Sequence, residues 1–242
     1  MIALFRKEIN QFFSSLTGLL TIVIFLMVNG LFMWIFSGDF NVLDFGYANM
    51  DSFFMLAPIL FLIFIPAICM RLFSEEYRSG TMEVLLTKPI SIWNVVVSKY
   101  LAANVLVLFS ILPTLIYFIS IYFLGETIGN LDVGGIIGSY LGLFMLSSAF
   151  IAIGIFASAI SSNQVVAFLI AIICNAIVYY GFGILSEVTF FQNWDLFISN
   201  LGIAYHYNVM SKGVIDSRDI LYFMSICFLF LMLSKTTIQL KR

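Results

Sequence analysis

The sequence predicts an all-α, polytopic membrane protein. It should have six transmembrane helices, an N-terminal amphipathic interface helix, and a short helix held on the cytoplasmic side. Three observations predict this. Apolar residues make up 62% of the 242 and charged residues only 10%, against about 25% in an ordinary soluble domain. Long charge-free runs recur, each near the ~20 residues that a bilayer-crossing helix needs. Lysine and arginine gather on alternate sides of those runs. A soluble core could not hide so much apolar surface, so lipid is the solvent. The net charge of −2 excludes a strongly basic nucleic-acid binder.

The first element is an amphipathic helix over residues 2–15. Ile2, Phe5, Ile9, Phe12 and Leu16 recur at helical spacing, with Arg6, Lys7, Asn10 and Gln11 between them, a pattern suited to lying along an interface. Spans are expected at about 16–36, 53–73, 99–124, 136–160, 164–186 and 219–239. No convincing cleavage site follows the first run, so it reads as a retained anchor rather than a signal peptide. The polar cluster Ser161-Ser162-Asn163-Gln164 splits one long oily run into the fourth and fifth spans. Pro58 and Pro66 in the second span and Pro113 in the third should bend their helices. Gly134, Gly138 and Gly142, four residues apart at the start of the fourth span, should let another backbone approach closely. The segment 189–217 is too polar for a clean span. It is rich in aromatics, including Phe190, Phe191, Trp194, Phe197, Tyr205 and Tyr207, and reads as short helices at the outer interface or a structured external loop.

An even number of spans places both termini on one side. That side carries Arg6, Lys7, Arg71, Arg78, Lys88, Lys99, Lys235, Lys241 and Arg242, and the other only Lys212 and Arg218. The positive-inside rule makes the first side cytoplasmic.

Several chemistries are missing. There is no G-x-x-x-x-G-K-[ST] phosphate loop and no H-E-x-x-H metal signature, so no ATP hydrolysis, catalytic residue, cofactor or metal is expected in this chain. Cys69, Cys174 and Cys227 lie in oily runs without metal-site spacing and read as apolar fillers. His206 is the only histidine and fits a loop or interface residue better than a catalyst. An intramembrane enzyme would need a partner such as Ser139 near it. The expected span centres hold no acid or base, which disfavours an ion-coupled carrier.

The segment Arg71–Pro89, RLFSEEYRSGTMEVLLTKP, holds six charged residues between two oily runs. Arg71 and Glu75 stand four apart, a helical pair. Ser79-Gly80 ends that helix, Thr81 can cap a second, and Glu83 favours its amino end. Met82, Leu85 and Leu86 give the second helix an apolar face with no obvious partner, and Pro89 closes it. Ser91 can cap the helix that follows.

The stretch Glu75–Pro89, EEYRSGTMEVLLTKP, resembles the cytoplasmic coupling segment of type-2 ABC transporter permeases. Lys7-Glu8 with Phe12-Phe13-Ser14-Ser15 is similar to that family's opening interface helix. Tyr205-His206-Tyr207 and Lys212 to Asp219 resemble its approach to the sixth span. Within the family the likeness extends to permeases associated with gliding motility. The resemblance implies a coupling segment at 74–91 that docks a separate ATPase subunit, in two copies, which binds the ATP and magnesium. The docking residues would be Glu75, Glu76, Gly80, Thr81, Glu83, Leu85, Leu86 and Pro89. It also implies a second permease, identical or related, and a bacterial plasma (inner) membrane. A membrane scaffold of a motility or secretion machinery, and an ion-coupled carrier, stand as alternatives.

Overall fold

The computed structural model describes residues 1–44, 46, 48–87, 89–126, 129–188 and 195–241, with backbone only at Thr17 and Leu86. The described residues are helical and contain no strand. Five stretches are long and apolar enough to cross a membrane: Asp51–Arg78, Ile92–Leu124, Val133–Ile160, Gln164–Glu187 and Ser217–Leu240. Helix α1 (Ile2–Ser14) and helix α2 (Leu16–Trp34) are bent by 61° to one another and add a sixth if the pair counts as one broken span. The bend has a local cause. Ser15 is extended and its hydroxyl accepts from the Gly18 amide at 3.1 Å, capping α2. A Cβ at Gly18 would lie 2.2 Å from the Phe12 carbonyl oxygen, so only glycine lets the chain turn this tightly. The 19 residues of α2 are about 28 Å of helix, close to the ~30 Å hydrocarbon thickness.

Side-chain caps mark where the later helices begin. Ser91 accepts from the Asn94 amide at the start of α6 (Ile92–Ile111), where α3 (Asp51–Cys69), α4 (Ser74–Arg78) and α5 (Thr81–Thr87) precede it. A 3-10 turn at Leu112–Thr114, carrying Pro113, joins α6 to α7 (Leu115–Leu124). Asp132 caps α8 (Val133–Ile160), and Asn163 caps α9 (Gln164–Ala176). A π-turn at Ile177–Gly181 leads into α10 (Phe182–Glu187), followed by α11 (Asp195–Ser199) and α12 (Ile203–Ser211). Asp216 caps α13 (Ser217–Leu240). Phe190, Phe191 and Trp194 of the expected outer aromatic segment lie outside the described residues.

Helix α8 is the axis of the bundle. It packs against α13, α3, α9, α12 and α6, and Leu143, Leu146, Phe150, Ile151 and Ile155 are fully buried on it. Small residues allow these close approaches. A Cβ at Gly138 would meet the Met210 carbonyl oxygen at 2.5 Å, one at Gly142 would meet Met210 Cβ at 3.1 Å, and one at Gly154 would meet Cys69 Cβ at 2.7 Å. The glycine row therefore faces α12 within the same chain. Gly134 differs, since its nearest neighbour is its own turn's Asp132.

The prolines act differently from one another. Pro113 sits in the 3-10 turn, whereas α3 runs through Pro58 and Pro66. Pro58 has no N–H for the Phe54 carbonyl, and Tyr207 of α12 donates its hydroxyl there at 2.7 Å. Tyr207→Phe keeps the ring and strands that buried carbonyl. The expected loss is about 1–3 kcal/mol, read as a lower unfolding midpoint of the detergent-purified protein. An unchanged midpoint would show that the carbonyl finds another donor.

Candidate functional site

The site forms at the end of the bundle where the chain begins and ends, around α4 and α5. Ser158 of α8 anchors the turn between α3 and α4. Its hydroxyl accepts from the Phe73 and Ser74 amides at 3.0 and 3.2 Å and donates to the Met70 carbonyl at 3.2 Å. Ser74 also donates to Met70. The turn is thus pinned to the central helix, and α4 leaves it in a fixed direction.

From α4, Glu75 pairs with Arg71 through two bonds, at 2.9 and 3.1 Å, and stays partly exposed. Glu76 points inward. Its Oε1 accepts from Lys99 at 2.9 Å and from Lys7 at 3.4 Å. Glu8 Oε1 accepts from the same two ammonium groups, at 3.1 and 3.2 Å. Four charges from α1, α4 and α6 thus close a ring. Lys99 and Glu8 are almost wholly buried, with side-chain exposures of 3% and 5%. Burial works against the Lys7 ammonium, but the carboxylates of Glu8 and Glu76 outweigh it and hold its pKa above the ordinary lysine value. Lys99 also lies 5.1 Å from the centre of the buried Phe73 ring.

The chain's end grips α4 from another side. Lys241 donates to the Ala159 and Ile160 carbonyls at 2.9 and 2.5 Å, where the α8 carbonyls lack helical partners. Its ammonium sits 4.7 Å from the centre of the Tyr77 ring. Beside the charge ring a cleft of about 320 Å³ opens between α1 and α4. Gln11, Phe12 and Ser15 line one wall, and Glu75, Ser79 and Thr81 line the other.

The eight residues expected to dock a partner separate into two groups. Gly80, Thr81, Glu83 and Pro89 are exposed on or beside α5, with Val84 at 60%. Gly80 has φ +70°, a left-handed conformation that glycine adopts without the usual Cβ clash. Glu75 is half-open. Glu76 is turned into the charge ring, and Leu85 is half-buried against the core beside the fully buried Met82. The side chain of Leu86 lies outside the described atoms. At Met82 and Leu85 the apolar face of α5 is therefore not without a partner, because the bundle itself covers them. Thr81 is the first residue of α5 rather than a cap. Its hydroxyl turns back toward Ser79 and the Glu76 carbonyl.

At the opposite end His206 joins α12 to α13. Nδ1 lies 2.6 Å from Asp219 Oδ1, Nε2 lies 2.8 Å from the Asn200 carbonyl, and the ring stacks on Tyr222 at 3.8 Å. Ser139 donates instead to the Gly135 and Ser211 carbonyls. The two residues are not paired as a base and a nucleophile would be.

Sequence reasoning counted Lys7 and Lys99 only as interface cations and missed Glu8, Ser158 and Lys241 as partners. One signal was present: Glu8 is the lone acid before Asp39. An unpaired acid in an oily setting asks for a buried base, but only the fold supplies the one 91 residues away. A comparison with curated proteins returned no match. Residues 2–237, nearly the whole chain, match the family described as ABC-2 family transporter protein. Helices that cross the membrane several times, together with that match, place this chain in the ABC-2 transporter family as a membrane-spanning permease.

Proposed function

We propose that the chain is the permease half of an ATP-driven exporter whose motor is a separate ATPase subunit. Two copies of the motor would sit beneath a pair of permeases, identical or related, and would bind the ATP and magnesium. Both termini, α4 and α5 would face the cytoplasm from a bacterial inner membrane, as the nine-to-two distribution of lysine and arginine supports. One observation carries the reading. In the two-helix element α4–α5, α4 is pinned to the bundle by Ser158, Lys99 and Lys241, while α5 and the turn after it present Glu83, Val84, Thr87 and Pro89 outward. An element fixed on its inner side and open on its outer side suits the transfer of force. A role in gliding motility rests on the sequence resemblance alone.

Purification from native membranes in mild detergent tests the reading. An ATPase subunit is expected to co-elute in equal number to the permease. A permease that elutes alone, and takes up or releases solute under an ion gradient without nucleotide, would replace the reading with that of an ion-coupled carrier. Retention of the ATPase with no extract component transported would favour a scaffold.

A further inference from the structure

The buried charge ring is costly as a source of stability. Removing two ions from water is repaid only by close mutual pairing, and apolar side chains of similar volume usually stabilise a core as well or better. Glu76 is not even fully repaid, for its Oε2 is buried without a hydrogen-bond partner. Such a ring is better at fixing geometry than at adding stability, because each charge tolerates only the partner positions that compensate it. Here the compensated positions belong to three elements that are distant in sequence: α1, α4 and the foot of α6.

The cleft bears on the same point. Along part of their lengths α1 and α4 stand apart as its two walls. Beside it the half-exposed Lys7 bridges Glu8 and Glu76 directly, and the buried Lys99 bridges the same two carboxylates. Lys99 touches both walls from the buried side, with Phe73 under its ammonium.

We propose that Lys99 is a positioning residue that locks α1 and α4 onto α6, so that the three move as one body. This rests on the proposed docking of a motor at α4–α5. A push delivered there would reach α6 directly through Lys99, and would carry α1 with it through Glu8. The amphipathic helix is then part of the lever rather than a passive float on the membrane surface.

The test compares two variants by spin-label distances across the cleft, with labels at Gln11→Cys and Ser79→Cys and with Cys174→Ala in the background. The protein is used as purified with its ATPase, with and without ATP. The unmodified ring should give one narrow distance population that ATP does not change. Lys99→Met alone takes the buried base away from Glu8 and Glu76, leaving them only the half-exposed Lys7, and is expected to lower the unfolding midpoint. The double variant Glu8→Leu/Lys99→Met replaces a buried ion pair by apolar groups and should recover that midpoint. It should also roughly double the width of the distance distribution and let the distribution shift with ATP. A double variant that keeps the narrow, ATP-independent distance would reduce the ring to a packing feature and overturn the proposal. So would an ATP-driven change across the unmodified ring. If no ATPase co-purifies, the motor reading fails by itself. The comparison of widths in the isolated permease still decides whether Lys99 locks the two helices.

Discussion

Gly138→Leu is expected to unseat α12 from α8 and to leave little folded protein in detergent. The reason is the identity of the atoms in the way. A Cβ at position 138 would lie 2.5 Å from the Met210 carbonyl oxygen and 3.0 Å from Gly213 Cα, and backbone cannot turn aside as a side chain can. Gly213 is itself held at φ +80°, so the opposing turn cannot relax without leaving its left-handed conformation. Overpacking a dense interior costs typically 1–3 kcal/mol, and this site lies at or beyond the upper end. The same row provides an internal control. Gly142→Ala meets Met210 Cβ at 3.1 Å and should cost less, because that contact needs a shift of only a few tenths of an ångström, whereas the 2.5 Å contact at position 138 needs far more. Gly134→Ala meets only Asp132 at 3.4 Å and should be nearly neutral. Unfolding midpoints by size-exclusion after heating should therefore fall in the order Gly134, Gly142, Gly138. Equal effects at the three positions would show that α12 does not seat on this face of α8.

Docking of α12 matters beyond its own stability. Through Tyr207 it donates to the Phe54 carbonyl that Pro58 leaves open, and through His206 it is tied to Asp219 and Tyr222 of α13. Displacing α12 would thus loosen α3 and α13 together, at the end of the bundle opposite α4–α5.

What the sequence discloses and what it withholds follow one division. Features that depend on near neighbours are legible. Arg71 and Glu75 pair as their four-residue spacing suggests, and Ser91 caps as its place before an apolar run suggests. Gly80 takes the left-handed turn between two short helices. Features that depend on distant partners are not. The apolar face of α5 looked unpartnered because no periodicity shows that α4–α5 folds back under the bundle, where Met82 is buried. That Glu76, a docking residue by the family resemblance, turns inward was not legible, because its fellow in the ring, Lys99, is placed by α6 and not by the local pattern. Lys241 stands at the chain's end, where position alone gives no hint that it closes α8.

That division changes which substitution tests the docking face. Leu85→Asp, the obvious choice from the sequence, would put a charge against the core that Leu85 packs on. It should disturb α5 itself, so loss of a motor subunit from that variant would say little about contact. Val84→Asp is the informative one. Val84 is 60% exposed on the outer side of α5, next to Glu83, and an aspartate there is not buried by the permease itself. The permease should insert, fold and elute as before. Against a docked motor the same carboxylate would be buried without a partner, beside a like charge, at a cost of about 2 kcal/mol or more, or roughly thirtyfold in affinity. The measurement is the ratio of ATPase to permease retained on a tag carried by the permease. That ratio should collapse for Val84→Asp while the unfolding midpoint of the permease stays fixed. If the ratio holds, the motor grips some other surface. The nearest is then the cleft wall formed by Gln11 on α1 and Ser15 just after it, because the charge ring joins that wall to α4 and gives a push there the same route into α6.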